Sequence, residues 1–153
     1  MPSVDPGPCL LCRVRDRLCA IPLASVVETF RPLPVEPLAS APPFVLGLSL
    51  IRGIATAVVD AAGLLGAGVG TRGRFVTLRV SDRPVALAVD GVVGVRTIEG
   101  ERLQALPSLL RDAGRELVEA VGSLDAELLF VLRGARWLPQ DLPDRGEAEG
   151  GSP

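Results

Sequence analysis

Few side chains in this 153-residue chain can do chemistry. Asp60 and Asp90 each close an apolar run, and two such carboxylates could serve as an acid and a base. Each also suits a simpler task, accepting backbone N–H groups in the turn that follows, and the sequence favours that use. There is no histidine, so the commonest general base and neutral metal ligand is missing. Ser25, Ser49, Ser81, Ser108 and Ser123 lack the flanks of a nucleophile elbow, and no Ser-His-Asp triad can form without histidine. Cys9 and Cys12 have CxxC spacing, but a zinc site needs a second ligand pair and only Cys19 remains. Residues three apart on a strand face opposite sides, which argues against a shared metal or a disulfide between Cys9 and Cys12. Residues 66–70 read Gly-Ala-Gly-Val-Gly without a following Lys-Ser/Thr, so they form no phosphate loop. No catalytic residue, metal or cofactor is expected.

Arg52 is different. It interrupts an apolar stretch, 44–51 before it and 54–59 after it. A guanidinium there either snorkels to the surface or is pinned by a carboxylate or carbonyls.

The elements around these residues are short strands. Residues 9–15 and 18–22 alternate about an Asp16-Arg17 turn. Residues 24–30 suit a helical turn or a strand, with Val26, Val27 and Phe30 favouring a strand that leaves a short turn; strands are also expected over 48–52, 54–59, 74–80, 83–89 and 91–98, with a closing hairpin over 116–123 and 127–133. Five prolines between 32 and 43 make an extended loop there. One helical turn is expected at 44–47, another at 61–65, and a flexible glycine-rich loop at 66–73. Residues 107–112 read as a loop with a short turn, 134–138 as a short helix and 139–153 as a disordered acidic tail. The block from Asp16 to Val27 is echoed by Asp82 to Val93, 66 positions later. Both have a polar turn, an alternating apolar run, a break and a β-branched pair. Such self-similarity predicts two small β units built alike.

Composition fits a globular body of one domain or two intimately packed subdomains. Apolar residues make up 48% and the net charge is −2. All the basic residues are arginine and form no stripe, so nucleic acid is not an expected partner. The N-terminus lacks the charge and apolar pattern of a signal peptide. The most membrane-like stretch, 54–70, contains Asp60 and several glycines, so no membrane insertion is expected.

The run Phe44-Val45-Leu46-Gly47-Leu48-Ser49-Leu50-Ile51-Arg52-Gly53-Ile54-Ala55-Thr56-Ala57-Val58-Val59-Asp60 resembles the signature of CheW-like chemotaxis coupling proteins. That signature reads roughly F-[VI]-x-G-[VI]-x-N-L-R-G-x-[IV]-x-P-V-[IV]-D-L. Val89-Asp90-Gly91-Val92 resembles the family's V-D-G-V segment, and residues 9–28 its first hairpin and following V-x-E. The resemblance covers 9 to about 138. It implies an all-β fold of two five-stranded SH3-like barrels around a shared core, in a single domain over 1–138. The first barrel is expected at about 9–60 and the second at about 74–133, with strand exchange allowed between them.

The resemblance further implies a cytoplasmic, non-enzymatic adaptor in a chemosensory array. Its partners would be the tip of a methyl-accepting chemoreceptor and a CheA-type histidine kinase. Arg52, Gly47, Val26, Glu28 and Val95 would border the receptor site. Gly53, Asp60, Asp90 and Gly91 would shape turns. The sequence departs from the signature at Leu50, Ile51, Ala57 and Ala61. Flexible glycines in 61–73 would have to be ordered on docking, and the segment offers few of the large anchors that interfaces rely on, so weak or absent kinase binding is expected. The competing function is a small-molecule sensor using the cleft between the barrels.

Overall fold

The computed structural model describes residues 6–80, 83–105 and 118–132. The expected elements at 107–112, 134–138 and 139–153 lie outside them. Eleven strands are present among the described residues: β1 (Gly7–Val14), β2 (Arg17–Pro22), β3 (Val26–Phe30), β4 (Val45–Ile51), β5 (Ile54–Asp60), β6 (Arg74–Val80), β7 (Arg83–Val89), β8 (Gly91–Ile98), β9 (Leu103–Ala105), β10 (Val118–Leu124) and β11 (Glu127–Leu132). Helix among them is confined to α1 (Ala61–Leu64) and two 3-10 turns.

The strands form two sheets. One runs β8-β1-β2-β11-β10-β9 and the other β3-β6-β7-β5-β4. The mainly-β expectation holds, but one sheet has six strands where five were expected. The added strand is the three-residue β9, which pairs with β10. Its counterpart in the other sheet is a single bridge, Glu36 to Leu48 beside β4.

The repeat legible in the sequence is a repeat of register. Cys12 faces Cys19 across β1–β2, and Leu78 faces Val85 across β6–β7, each 66 positions further on. Each sheet has one parallel pair at the same place, β2 with β11 and β7 with β5. The sheets are not contiguous halves of the chain. β3 follows β2 in sequence but pairs with β6, and β8 follows β7 but pairs with β1. The exchange is reciprocal, so neither half is complete alone.

The packing explains why several strands read as unbroken apolar runs. Leu10, Cys12, Val14, Cys19 and Ile21 join Val59, Val76, Leu78, Leu87 and others in a core between the sheets. Cys9, Leu11, Leu18, Ala20, Leu129 and Val131 fill the inside of the six-stranded sheet. Ile51, Val58, Phe75, Ala86 and Ala88 fill the other. Strands buried on both faces need no polar alternation. Cys9 and Cys12 fall in different cores, as their spacing requires.

The expected helical turn at 44–47 is strand instead. β4 starts at Val45, and Leu48 N–H donates to Glu36 O at 2.9 Å while Glu36 N–H donates to Leu48 O at 2.7 Å. The proline-rich segment thus supplies a ladder partner, and Ser49 Oγ–H adds a bond to Pro34 O at 2.8 Å.

Candidate functional site: two clasped hairpin tips

Arg52 and Gly53 form the two-residue turn between β4 and β5, closing on the Ile51–Ile54 pair. Both have positive φ, 51° and 79°. Two consecutive left-handed residues make the turn whose twist matches a hairpin, and glycine suits the second position. From this tip the Arg52 guanidinium makes a two-pronged contact with the Glu28 carboxylate. Nε–H donates to Oε2 and Nη2–H donates to Oε1, the latter at 2.6 Å. Arg52 also lies over the Phe30 ring, 5.7 Å from its centroid.

Glu28 and Phe30 belong to β3, one edge of the sheet, whereas the Arg52 tip belongs to the opposite side. On a flat sheet three strand spacings, roughly 14 Å, separate β3 from β5. The contact therefore requires a coiled sheet and clasps its two sides together. Arg52 is pinned by a carboxylate, one of the two expected answers, while its side chain stays 67% exposed. The hydrogen bond from Arg52 holds the Glu28 carboxyl below its usual range, and the same bond raises the guanidinium.

The other sheet repeats the device with the charges exchanged. Asp125 and Ala126 make the β10–β11 turn, again with positive φ at both residues, 52° and 64°. Asp125 Oδ2 accepts from Arg96 Nη1–H at 3.2 Å, and Arg96 lies on the edge strand β8. Sequence reasoning missed this clasp because Asp125-Ala126 carries no Arg-Gly signature.

The expected receptor-site residues divide between the sheets. Glu28 and Arg52 touch. Val26, also on β3, is half-buried and packs against the shared core. Gly47 has φ 144°, and a Cβ there would overlap the Glu36 carbonyl, so its smallness admits the bridging segment. Val95 sits on β8 of the other sheet, 56% exposed.

Gly53 makes the turn expected of it, but the roles expected of Asp60, Asp90 and Gly91 need correction. Asp60 precedes α1 but its side chain makes no capping bond. It is buried and accepts from Arg72 Nη2–H at 3.1 Å. Asp90 does accept a backbone N–H, that of Arg15 at 3.0 Å, but this belongs to the distant β1–β2 turn. The small residues its position demands are Gly70 and Gly73, whose Cβ atoms would overlap Asp90. Gly91 meets no crowding and has no positive φ. With Asp60 held by Arg72 and Asp90 by the Arg15 amide, the two carboxylates do not form an acid–base pair.

The loop after α1 is tied down. Arg15 Nη1–H donates to Val69 O at 2.6 Å, and Arg17 Nη1–H donates to Leu65 O at 3.2 Å. Arg72 holds its far end through Asp60. The expected flexibility, and the ordering cost drawn from it, lose their ground. Beside the loop lies an open hollow of about 510 Å³ lined by Arg15, Asp16, Arg17, Ala67 and Asp90. It is charged, and its arginines already spend donors on the loop, which ill suits a sensor pocket.

A CheW-like domain model matches residues 8–141. The chain belongs to the CheW-like domain family. Family members are scaffolds of chemotaxis signalling and not enzymes. The chain is 28% identical over 123 residues to the chemotaxis protein CheW of Rhizobium meliloti (strain 1021), covering 78% of this chain and 79% of that protein. It is 24% identical over 123 residues, with the same coverage, to a probable chemotaxis protein CheW of Rhizobium etli. The scaffolding protein TtCheW of Thermoanaerobacter tengcongensis superposes with a TM-score of 0.78 at 17% identity, covering 89% of this chain and 94% of that one. This CheW-like fold carries both clasps. No helix among the described residues is long and apolar enough to cross a membrane.

Proposed function

We propose that this chain is an adaptor of a cytoplasmic chemosensory array and binds the helical hairpin tip of a methyl-accepting chemoreceptor. The observation that carries this reading is the Arg52 clasp, at the Arg-Gly of the family signature. A cation held by a carboxylate and an aromatic ring is preorganised, so little side-chain entropy is lost when a partner docks. Exposed apolar residues flank it, Leu50 at 70% and Ile54 at 40%. A pinned charge among apolar side chains suits a helix that brings an apolar face and one polar group to fix register. Glu28, Val26, Gly47 and Val95 belong to this proposal as lining or supporting residues. The array kinase is the second proposed partner, held more weakly than the receptor.

Calorimetry with a soluble fragment of a receptor tip tests the reading. Binding of the intact chain, weakened roughly ten- to a hundredfold in Arg52→Ala with the fold retained, is the expected result. Equal affinity in both proteins would overturn the assignment of Arg52.

A further inference from the structure

Most arginines among the described residues are committed. Arg13, Arg52, Arg72 and Arg96 hold carboxylates, and Arg15 and Arg17 hold loop carbonyls. Arg31 and Arg74 are different, since neither makes a hydrogen bond or ion pair among the described residues. Arg79 shares that freedom but stands at the other end of β6.

The fold puts these two arginines together. The β3–β6 ladder ends on the Phe30–Phe75 pair. Arg31 follows Phe30 and Arg74 precedes Phe75, so they are cross-strand neighbours one step beyond it. Arg31 is exposed and Arg74 half-buried. Like charges opposite each other on an antiparallel pair repel. The carboxylates that close β5 and β7 at this end are already engaged, Asp60 by Arg72 and Asp90 by the Arg15 amide. Two guanidiniums held side by side make a site for a carboxylate, which each can bond through its planar fork.

We infer that Arg31 and Arg74 receive the acidic segment 141–149 of the same chain. Asp141, Asp144, Glu147 and Glu149 stand there against one arginine, Arg145. Leu132, the last described residue, is nine positions before Asp141. Nine extended residues reach roughly 30 Å, comparable with the width of such a domain. A tether of this length gives an effective concentration of about millimolar, so a weak ionic contact suffices. Arg31 directly follows Phe30, the ring under Arg52, so the docked segment lies beside the clasp. The contact is autoinhibitory: an acidic group of a partner reaches this corner only by displacing the segment. The inference does not rest on the receptor reading.

Paramagnetic broadening in the full chain provides the test. Ser152→Cys puts a thiol next to the acidic segment for a spin label, and the three native thiols are buried. The label should broaden the amide signals of Phe30, Arg31, Arg74 and Phe75. Neutralising the segment with Asp141→Asn/Asp144→Asn/Glu147→Gln/Glu149→Gln should abolish that broadening and leaves the folded body unaltered. Arg31→Gln/Arg74→Gln should abolish it from the other side. Salt at about 0.5 M should remove most of it, because an exposed ionic contact is screened. Spin-labelled chain mixed with isotope-enriched, unlabelled chain reads whose segment is bound, and the enriched copy should show no broadening. A labelled chain without broadening, broadening centred on other residues, broadening that survives either set of substitutions, or broadening carried between copies would overturn the inference.

Discussion

Cys12 faces Cys19 across the β1–β2 hairpin, and both thiols are wholly buried against the core between the sheets. The CxxC spacing pointed at Cys9 and Cys12, yet the pair that meets is joined by register. Burial pushes both thiols up to about 12, and Cys9 up to about 11. Only the thiolate reacts readily, so these are core residues and poor nucleophiles.

Their titration sets an alkaline limit. A thiol held above its usual value near 9 keeps its proton in the folded chain after the unfolded chain has lost it. The stability it contributes is complete below pH 9 and is lost as pH rises toward 12. Urea unfolding at about pH 8 and about pH 10.5, either side of the unfolded thiol's titration, should show a fall, reduced in Cys12→Ala/Cys19→Ala. Native protein at the lower pH should leave thiol reagents unconsumed; rapid labelling of Cys12 or Cys19 would contradict their burial.

The Arg52 clasp sets an acid limit of opposite sign. Arg52 holds the Glu28 carboxyl below its usual value near 4.5. Its contribution is present above that value and fades as pH falls through the lowered one. Carbon-detected NMR titration should find Glu28 titrating at lower pH than in Arg52→Ala. Receptor binding by that variant should be roughly ten- to a hundredfold weaker, the scale of an arginine hot spot. Identical Glu28 curves would show that the clasp does not persist in solution.

Gly47→Ala separates support from contact. With φ 144° and the Glu36 carbonyl in the way of a Cβ, alanine should cost about 2–4 kcal/mol through backbone strain and displacement. A thermal melt reads this directly. An unchanged melting temperature with lost receptor binding would return Gly47 to the partner surface.

Strand positions were legible because apolar runs broken by Gly, Pro and Asp-Arg have few other solutions. The repeat was legible at β2 and β7, where the residue types nearly coincide. What escaped was everything set by closure of the sheets. Nothing local near Glu28 announces Arg52, and nothing near Asp60 announces Arg72. The exchange of β3 and β8 also has no local signal, since both strands suit either sheet. Residues 66–73 looked flexible because glycine was read as freedom. Gly70 and Gly73 are instead the small residues that let Asp90 sit beneath the loop.

That last point bears on the kinase. Weak binding was expected on two grounds, the ordering of a glycine-rich loop and its lack of large anchors. The first is removed, because Arg15, Arg17 and Arg72 already hold the loop. The second stands, since interfaces depend on a few large buried anchors. Among the described large apolar side chains of 61–73, Val69 is the one that stands well out, at 66%. A single valine offers little beside the Leu50–Arg52–Ile54 tip, so the kinase regulatory domain should bind more weakly than the receptor tip. Calorimetry against both partners checks the order. Arg17→Ala frees the loop at Leu65 and should weaken the kinase complex further while leaving the receptor complex unchanged. A kinase complex tighter than the receptor complex, and indifferent to Arg17→Ala, would place the kinase contact away from this loop.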